Sequence, residues 1–405
     1  MPLYRAAWLL PISQPPIRDA WLRTDRGRIV AFGPTRPGDF TAPDEIDLGR
    51  VVVLPGLVNA HTHLELSWLR GRIAAGGSFP DWLRAVINLR NTVGQASDQV
   101  AGAIPAAVDE MRGCGTTLVG DISNTLGTSA ALADKRMAAV VFYELIGFRP
   151  ADADRLAASA IDVLKMMPAL GDVRHTLAPH APYSVSPALF GRIRAALKQD
   201  PFARSSVHLG ESEAEIQLLR DGSGACRALL EELGTWDPAW VPPACGAVEY
   251  IDRMGFLDDR LLVVHGVQFG ADDLDRVAAK GATLVTCPRG NLATGAGTPP
   301  IGEFFAAGVR VAIGTDSLAS VPDLNVFAEL AEMRRLAPEV PARALIEAAT
   351  INGARALGFE SEFGTIDSGK RDALIAVELE DAVSAVEEEL VSGVDRSRIR
   401  WVGEA

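Results

Sequence analysis

Val51-Val52-Val53-Leu54-Pro55-Gly56-Leu57-Val58-Asn59-Ala60-His61-Thr62-His63 decides how this chain is read. A run of β-branched and aliphatic residues ends in two histidines one residue apart. Short apolar runs of this kind form strands buried on both faces, and Val51–Val58 is expected to be one. A strand places residues i and i+2 on the same face, so His61 and His63 leave its C-terminal end pointing the same way. Neutral imidazole is a common nitrogen ligand for zinc and iron. Two ligands begin a metal site, and the rest of the chain must supply others.

Similar runs recur at Thr116–Gly120, Ala139–Ile146, Val173–Ala178, Ser205–Val207, Leu261–Val264, Ala282–Thr286 and Val309–Ile313. Helical patterns such as Ala101–Arg112 and Ala188–Lys198 separate most of them. Eight strands alternating with helices predict an α/β fold, a (β/α)8 barrel of the TIM type over residues 55–359. An open doubly wound sheet is the competitor, but no G-x-G-x-x-G turn follows the first strand. Residues 1–54 hold short strand-like pieces broken by Pro and Gly, and residues 360–405 hold Asp372-Ala373-Leu374-Ile375-Ala376-Val377. The two ends are expected to pair into one small composite β-sandwich.

The composition narrows the function classes. With 405 residues, 48% apolar and 22% charged, the chain has the makeup of a folded soluble protein. Its net charge of −13 argues against nucleic acid or an anionic membrane as partner. No apolar run reaches the ~18 residues of a membrane span, and the N-terminus lacks a signal-peptide pattern. Cys114, Cys226, Cys245 and Cys287 lie far apart with no C-x-x-C pair, which suggests free thiols in a reducing cytoplasm. The expected partner is a small-molecule substrate, and the expected assembly is a homo-oligomer, most simply a dimer.

The histidines fall at one place in this plan. His61 and His63 follow strand 1, His180 strand 4, His208 strand 5 and His265 strand 6, while Asp316 follows strand 8. In a barrel these ends converge on the face where active sites are built. Five histidines and an aspartate gathered there point to a metal-dependent reaction.

Pro-Gly-Leu-Val-Asn-Ala-His61-Thr-His63, Val-His208-Leu-Gly-Glu211-Ser, Val-Val-His265-Gly and Gly-Thr-Asp316-Ser resemble the amidohydrolase superfamily. Gly364-Thr365-Ile366-Asp367-Ser368-Gly369-Lys370 resembles its return strand into a β-sandwich. The resemblance implies that His61, His63, His208 and Asp316 hold one divalent metal, zinc or alternatively iron. Two-metal members use a bridging lysine near the end of strand 4, and Ala178-Pro179-His180 offers none.

The spacing His208-x-x-Glu211 is similar to the cytosine and nucleoside deaminase branch. That resemblance implies Glu211 as proton carrier, His265 as the residue orienting the hydroxide, and Asp316 as a relay as well as a ligand. Glu211 can also be read as a helix N-terminal carboxylate. Glu65, Trp82, Arg149, His180 and Arg289 are the candidate substrate contacts, the arginines for a substrate carboxylate or else for surface ion pairs.

His61-Thr-His63-Leu-Glu65-Leu-Ser, Phe79-x-x-Trp82-Leu and Cys287-Pro-Arg289-x-Asn291 are similar to the aminodeoxyfutalosine deaminase group, although Gly290 stands where a serine is expected. The implied reaction is hydrolytic removal of an amine from an aminated heterocycle, a purine nucleoside derivative. Cyclic amide hydrolysis or triazine-type dechlorination at the same site is the alternative, and an inactive binding or assembly subunit the remote one.

Overall fold

The computed structural model describes residues 1–35, 45–94, 97–200, 203–380 and 383–403. Positions 36–44, 381–382 and 404–405 of the expected terminal module lie outside the described residues. The strands run in chain order as β1 (Leu3–Leu9), β2 (Ile17–Asp25), β3 (Arg28–Pro34), β4 (Glu45–Asp47), β5 (Val51–Pro55), β6 (Leu57–Thr62), β7 (Thr116–Ser123) and β8 (Ala138–Leu145). They continue as β9 (Val173–Pro179), β10 (Ser205–Leu209), β11 (Leu261–His265), β12 (Thr283–Thr286), β13 (Arg310–Ile313), β14 (Leu374–Glu378) and β15 (Ile399–Trp401).

The expected first strand is two strands. β5 pairs with β1 and β14, whereas β6 pairs with β7, so the apolar run changes sheets at Gly56. A Cβ at Gly56 would sit 2.8 Å from Thr117 Cβ and 3.2 Å from the Ala373 carbonyl oxygen. Only glycine lets the chain pass between these neighbours. Both halves are buried, which is why the sequence reads as one run.

β6–β9 form one parallel four-stranded sheet and β10–β13 another. Alternation sorts their side chains into two layers. Val58, Ala60, Leu118, Phe142, Val264 and Val285 share one cluster, while Val207, Leu209, Val263, Leu284 and Ile313 pack with helical residues in another. Each fully buried aliphatic or phenyl side chain contributes on the order of 1.5–3 kcal/mol, so burial on both faces dominates the stability of these short strands.

Side-chain and backbone hydrogen bonds stitch the two sheets at both margins. The N–H groups of Thr315 and Asp316 both donate to the His61 carbonyl at 3.1 Å. The His208 N–H donates to the His180 carbonyl at 2.9 Å, and Ser205 Oγ to the Leu177 carbonyl at 2.9 Å. A third sheet joins both chain ends in the order β15-β14-β5-β1-β2-β3, with β4 on β1. Among the described residues no helix is long and apolar enough to cross a membrane.

Candidate active site

His61 lies within β6, His208 within β10, His265 at the end of β11, and His63 and Asp316 just past β6 and β13. Packing fixes each one. The Asp121 carboxylate accepts from the Leu64 N–H at 2.9 Å and from Thr128 Oγ1 at 2.6 Å, which pins the turn that begins at His63. A Cβ on Gly314 would lie 2.7 Å from both the Cβ and the carbonyl oxygen of His61, so glycine is what lets the end of β13 ride against β6. His265 and Asp316 hold φ values of 80° and 57°. Non-glycine residues reach this left-handed region only at a cost in strain, and such strain gathers at functional sites.

The histidines are packed ring to ring. The His61 ring centroid is 4.9 Å from those of His63 and His208 and 5.6 Å from that of His265. Asp316 Oδ1 lies 3.7 Å from His63 Nε2 and 4.0 Å from His61 Nε2. Burial, and after it the neighbouring imidazoles, push His61 and His265 well below the usual histidine range. Burial first, and His208 second, bring His63 down to about 3.

These three rings are therefore neutral and keep a free lone pair. Both nitrogens of His61, and Nε2 of His208, are buried without a hydrogen-bond partner. Buried polar atoms are ordinarily satisfied, so orphaned imidazole nitrogens beside a carboxylate fit a divalent cation. The ligating atoms of His61, His63 and Asp316, and those of His61, His208 and His265, lie within 4.8 Å of one another in each group.

Glu211 stands buried at the turn after β10. Its position is fixed by Glu215, whose carboxylate accepts from the Gly210 N–H at 3.0 Å and the Glu211 N–H at 3.2 Å. The helix Glu213–Asp221 is capped by Ser212, not by Glu211. Burial, reinforced by Asp316 and Glu215, pushes the Glu211 carboxyl well above the usual range, which favours its protonated form. Its Oε1 is 3.4 Å from His265 Nε2. Asn291 Nδ2 lies 2.9 Å from His265 Nδ1. An amide N–H donated there leaves the His265 proton on Nε2, facing Glu211 and His208. Burial brings Asp316 up to about 6. Its Oδ2 accepts from Ser320 Oγ at 3.1 Å, and a Cβ at Gly290 would come just as close to that carboxylate oxygen. Glycine at 290 thus leaves room for Ser320 to hold Asp316.

A cavity of about 230 Å³ opens over this cluster. Trp82 and His180 line it, as do His63, His208, Glu211, His265 and Asp316. His180 Nδ1 is 2.6 Å from Ser184 Oγ. Its walls are mostly apolar, with Phe79, Val86, Phe148 and Leu230 facing in.

Three of the expected substrate contacts do not reach the cavity. Glu65 is buried outside its lining, where its carboxylate accepts from Ser123 Oγ, the Asn124 N–H, the Thr125 N–H and Thr125 Oγ1. Arg149 donates instead to the Gly234 carbonyl at the surface. Arg289 is held away by Asp323 at 2.9 Å and by Glu329, whose carboxylate also accepts the Arg289 N–H at 3.1 Å.

Among the lining residues that were not anticipated, two are charged, Glu144 and Arg90. Glu144 is the last residue but one of β8, with Oε1 3.4 Å from His208 Nε2. Burial alone would raise its pKa, but His180, His208 and His63 together hold it below the usual carboxylate range. A lone acid in the apolar run Val140-Val141-Phe142-Tyr143-Glu144-Leu145 was the available signal.

Residues 52–398 match the family described as "Amidohydrolase family". The chain belongs to the amidohydrolase family. A 5-methylthioadenosine/S-adenosylhomocysteine deaminase of Moorella thermoacetica is 30% identical over 388 residues, covering 93% of this chain and 85% of that protein. An aminodeoxyfutalosine deaminase of Deinococcus radiodurans is 32% identical over 326 residues, covering 77% of this chain and 75% of that protein. The crystal structure of an adenosine deaminase from Xanthomonas campestris with bound zinc superposes with a TM-score of 0.81 at 28% identity, covering 98% of this chain and 90% of that one. This amidohydrolase is a hydrolase acting on carbon–nitrogen bonds other than peptide bonds.

Proposed function

We propose that this amidohydrolase is a mononuclear metal-dependent deaminase of aminopurine nucleosides that carry a bulky apolar or aromatic group at the 5′ end, aminodeoxyfutalosine among them. The observation that carries the reading is the placement of Glu211 and the orphaned Nε2 of His208 in a mostly apolar cavity, with the unpartnered ring of His61 4.9 Å from that of His208. The names of the Moorella and Deinococcus relatives support it.

His61, His63, His208 and Asp316 would hold the metal, zinc by the chemistry of three nitrogens and one carboxylate. β9 leads into His180 without a lysine to bridge a second ion. When bound, such a cation lowers the pKa of water to about 7 and supplies hydroxide at neutral pH. Glu211 then delivers its proton to the ring nitrogen beside the amine-bearing carbon, which makes that carbon electrophilic. His265, its proton directed by Asn291, holds the oxygen nucleophile in line. Asp316 takes the proton of the attacking oxygen and passes it to the amine, which leaves as ammonia as the ring carbonyl forms.

The two parallel sheets are proposed to complete one closed eight-stranded barrel over residues 55–359. Residues 1–54 and 360–405 would form the composite sandwich. The free cysteines, three of them buried, support residence in a reducing cytoplasm.

Ammonia release from a panel of adenine, guanine and cytosine nucleosides, with and without apolar 5′ groups, tests the reading. Adenine nucleosides with apolar 5′ groups should be turned over best. Release of ammonia from none of them would overturn the proposal and favour cyclic amide hydrolysis or dechlorination.

A further inference from the structure

We propose that Glu144, set in place by Asn124, is a specificity-determining residue that binds the vicinal hydroxyls of the substrate's sugar. The assignment rests on the nucleoside deaminase reading above and deepens it. Among the described residues, the carboxylates lining the cavity are Glu144, Glu211 and Asp316, and the guanidinium is that of Arg90. Glu211 and Asp316 serve the reaction at the purine ring. Glu144 is the acid left over.

Its surroundings are those of a binding group and not of a structural ion pair. Glu144 is 6% exposed, and its ion contact is with His208, itself part of the candidate metal set. One oxygen, Oε2, accepts from Asn124 Nδ2 at 3.0 Å, and Oε1 is 3.4 Å from His208 Nε2. A carboxylate offers about four acceptor sites. Two remain on a wall where His180 is the other polar group close by, within 4.8 Å, and where an anion short of donors is costly. The substrate must bring donors to it. A nucleoside's adjacent ribose hydroxyls supply two O–H donors at a spacing that one carboxylate accepts together.

The carboxylate is also rigidly mounted. Asn124 Nδ2 donates to the Glu144 carbonyl at 3.2 Å as well as to its side chain, and Asn124 Oδ1 accepts from Arg90 at 2.7 Å. Asn124 in turn sits in the turn 123–125 that Glu65 ties down through its Oε2 contact with the Asn124 N–H at 2.9 Å. Glu65 and Asn124 are thus positioning residues, acting on the substrate through Glu144. Such pre-set geometry spares the binding step the entropy of ordering the acceptor.

The test compares kcat/KM for one adenine nucleoside in ribo, 2′-deoxy, 3′-deoxy and 2′,3′-dideoxy forms, with metal content measured in each enzyme preparation. The wild-type enzyme should prefer the ribo form over the dideoxy form by about 10- to 100-fold, as expected for a charged hydrogen-bond acceptor. Glu144→Gln with unchanged metal should lose most of that preference, chiefly through KM, and Glu144→Asp should recover part of it. Ammonia from ribo and dideoxy forms at equal efficiency in the wild type would overturn this assignment and leave the deaminase reading standing. Retention of the full preference by Glu144→Gln would do the same. No ammonia from any nucleoside would overturn both.

Discussion

Glu211→Gln removes a titratable proton while keeping the shape of a buried side chain. Glu211 is 5% exposed, so an isosteric amide opens no cavity. The amide oxygen can still face His265 Nε2, now 3.4 Å from Oε1. Metal content should therefore stay at the wild-type level. What is lost is proton transfer to the ring nitrogen. A positioned general acid is worth roughly 10²- to 10⁴-fold in rate, about 3–5 kcal/mol of barrier. We expect the upper part of that range, because burial, Asp316 and Glu215 all favour the protonated form of Glu211. KM should change little, since the interaction is made in the transition state. Steady-state ammonia release, with metal measured by mass spectrometry on the same sample, is the assay. A variant that turns over near the wild-type rate with full metal would refute the proton-carrier role. A variant that arrives without metal would make Glu211 a ligand.

Three other outcomes follow from particular contacts. Glu65→Ala strips the acceptor from two backbone N–H groups and two hydroxyls, so it should cost on the order of 3–5 kcal/mol in urea unfolding; unchanged stability with a raised KM would restore Glu65 as a direct substrate contact. Arg289→Ala should lower stability by roughly 1–3 kcal/mol through loss of its Asp323 and Glu329 contacts, with no selective effect on carboxylate-bearing substrates; a KM rise confined to those substrates would contradict this. In the chelator-stripped protein, the folded pKa values of His61, His63 and His265 lie below the ordinary 6.5. The unfolded chain then takes up protons first, so stability is held above about pH 6.5 and lost as pH falls toward the His63 value of about 3. Imidazole NMR of the stripped protein should show these three rings still neutral at about pH 5, below the ordinary histidine value, and protonation there would show that they are not buried and neutral.

Much of this was legible because the chemistry sits at strand ends. Apolar runs buried on both faces mark β6 to β13, and a polar residue just after each run stands out. The break at Gly56 was not legible, since both halves of the run are equally apolar and the need for glycine comes from Thr117 and Ala373, distant in sequence. Charge can be read from a sequence, but direction cannot. Arg289 lies near the site in the chain, yet its carboxylate partners are 34 and 40 residues on and draw it away. Glu65 lies two residues past His63, but its carboxylate is taken up by the 123–125 turn. Glu144 reads in the sequence as one residue of a strand, and Asn124 and Arg90 gain meaning only from what they touch.

Reconstitution of the chelator-stripped enzyme with zinc tests the central claim most directly, with ammonia release from an adenine nucleoside bearing an apolar 5′ group measured at each step. Activity should be absent in the stripped protein, rise in proportion to bound zinc and level off at a single equivalent per chain. Full activity without metal, or a plateau that requires a second equivalent, would contradict a single-metal site built from His61, His63, His208 and Asp316.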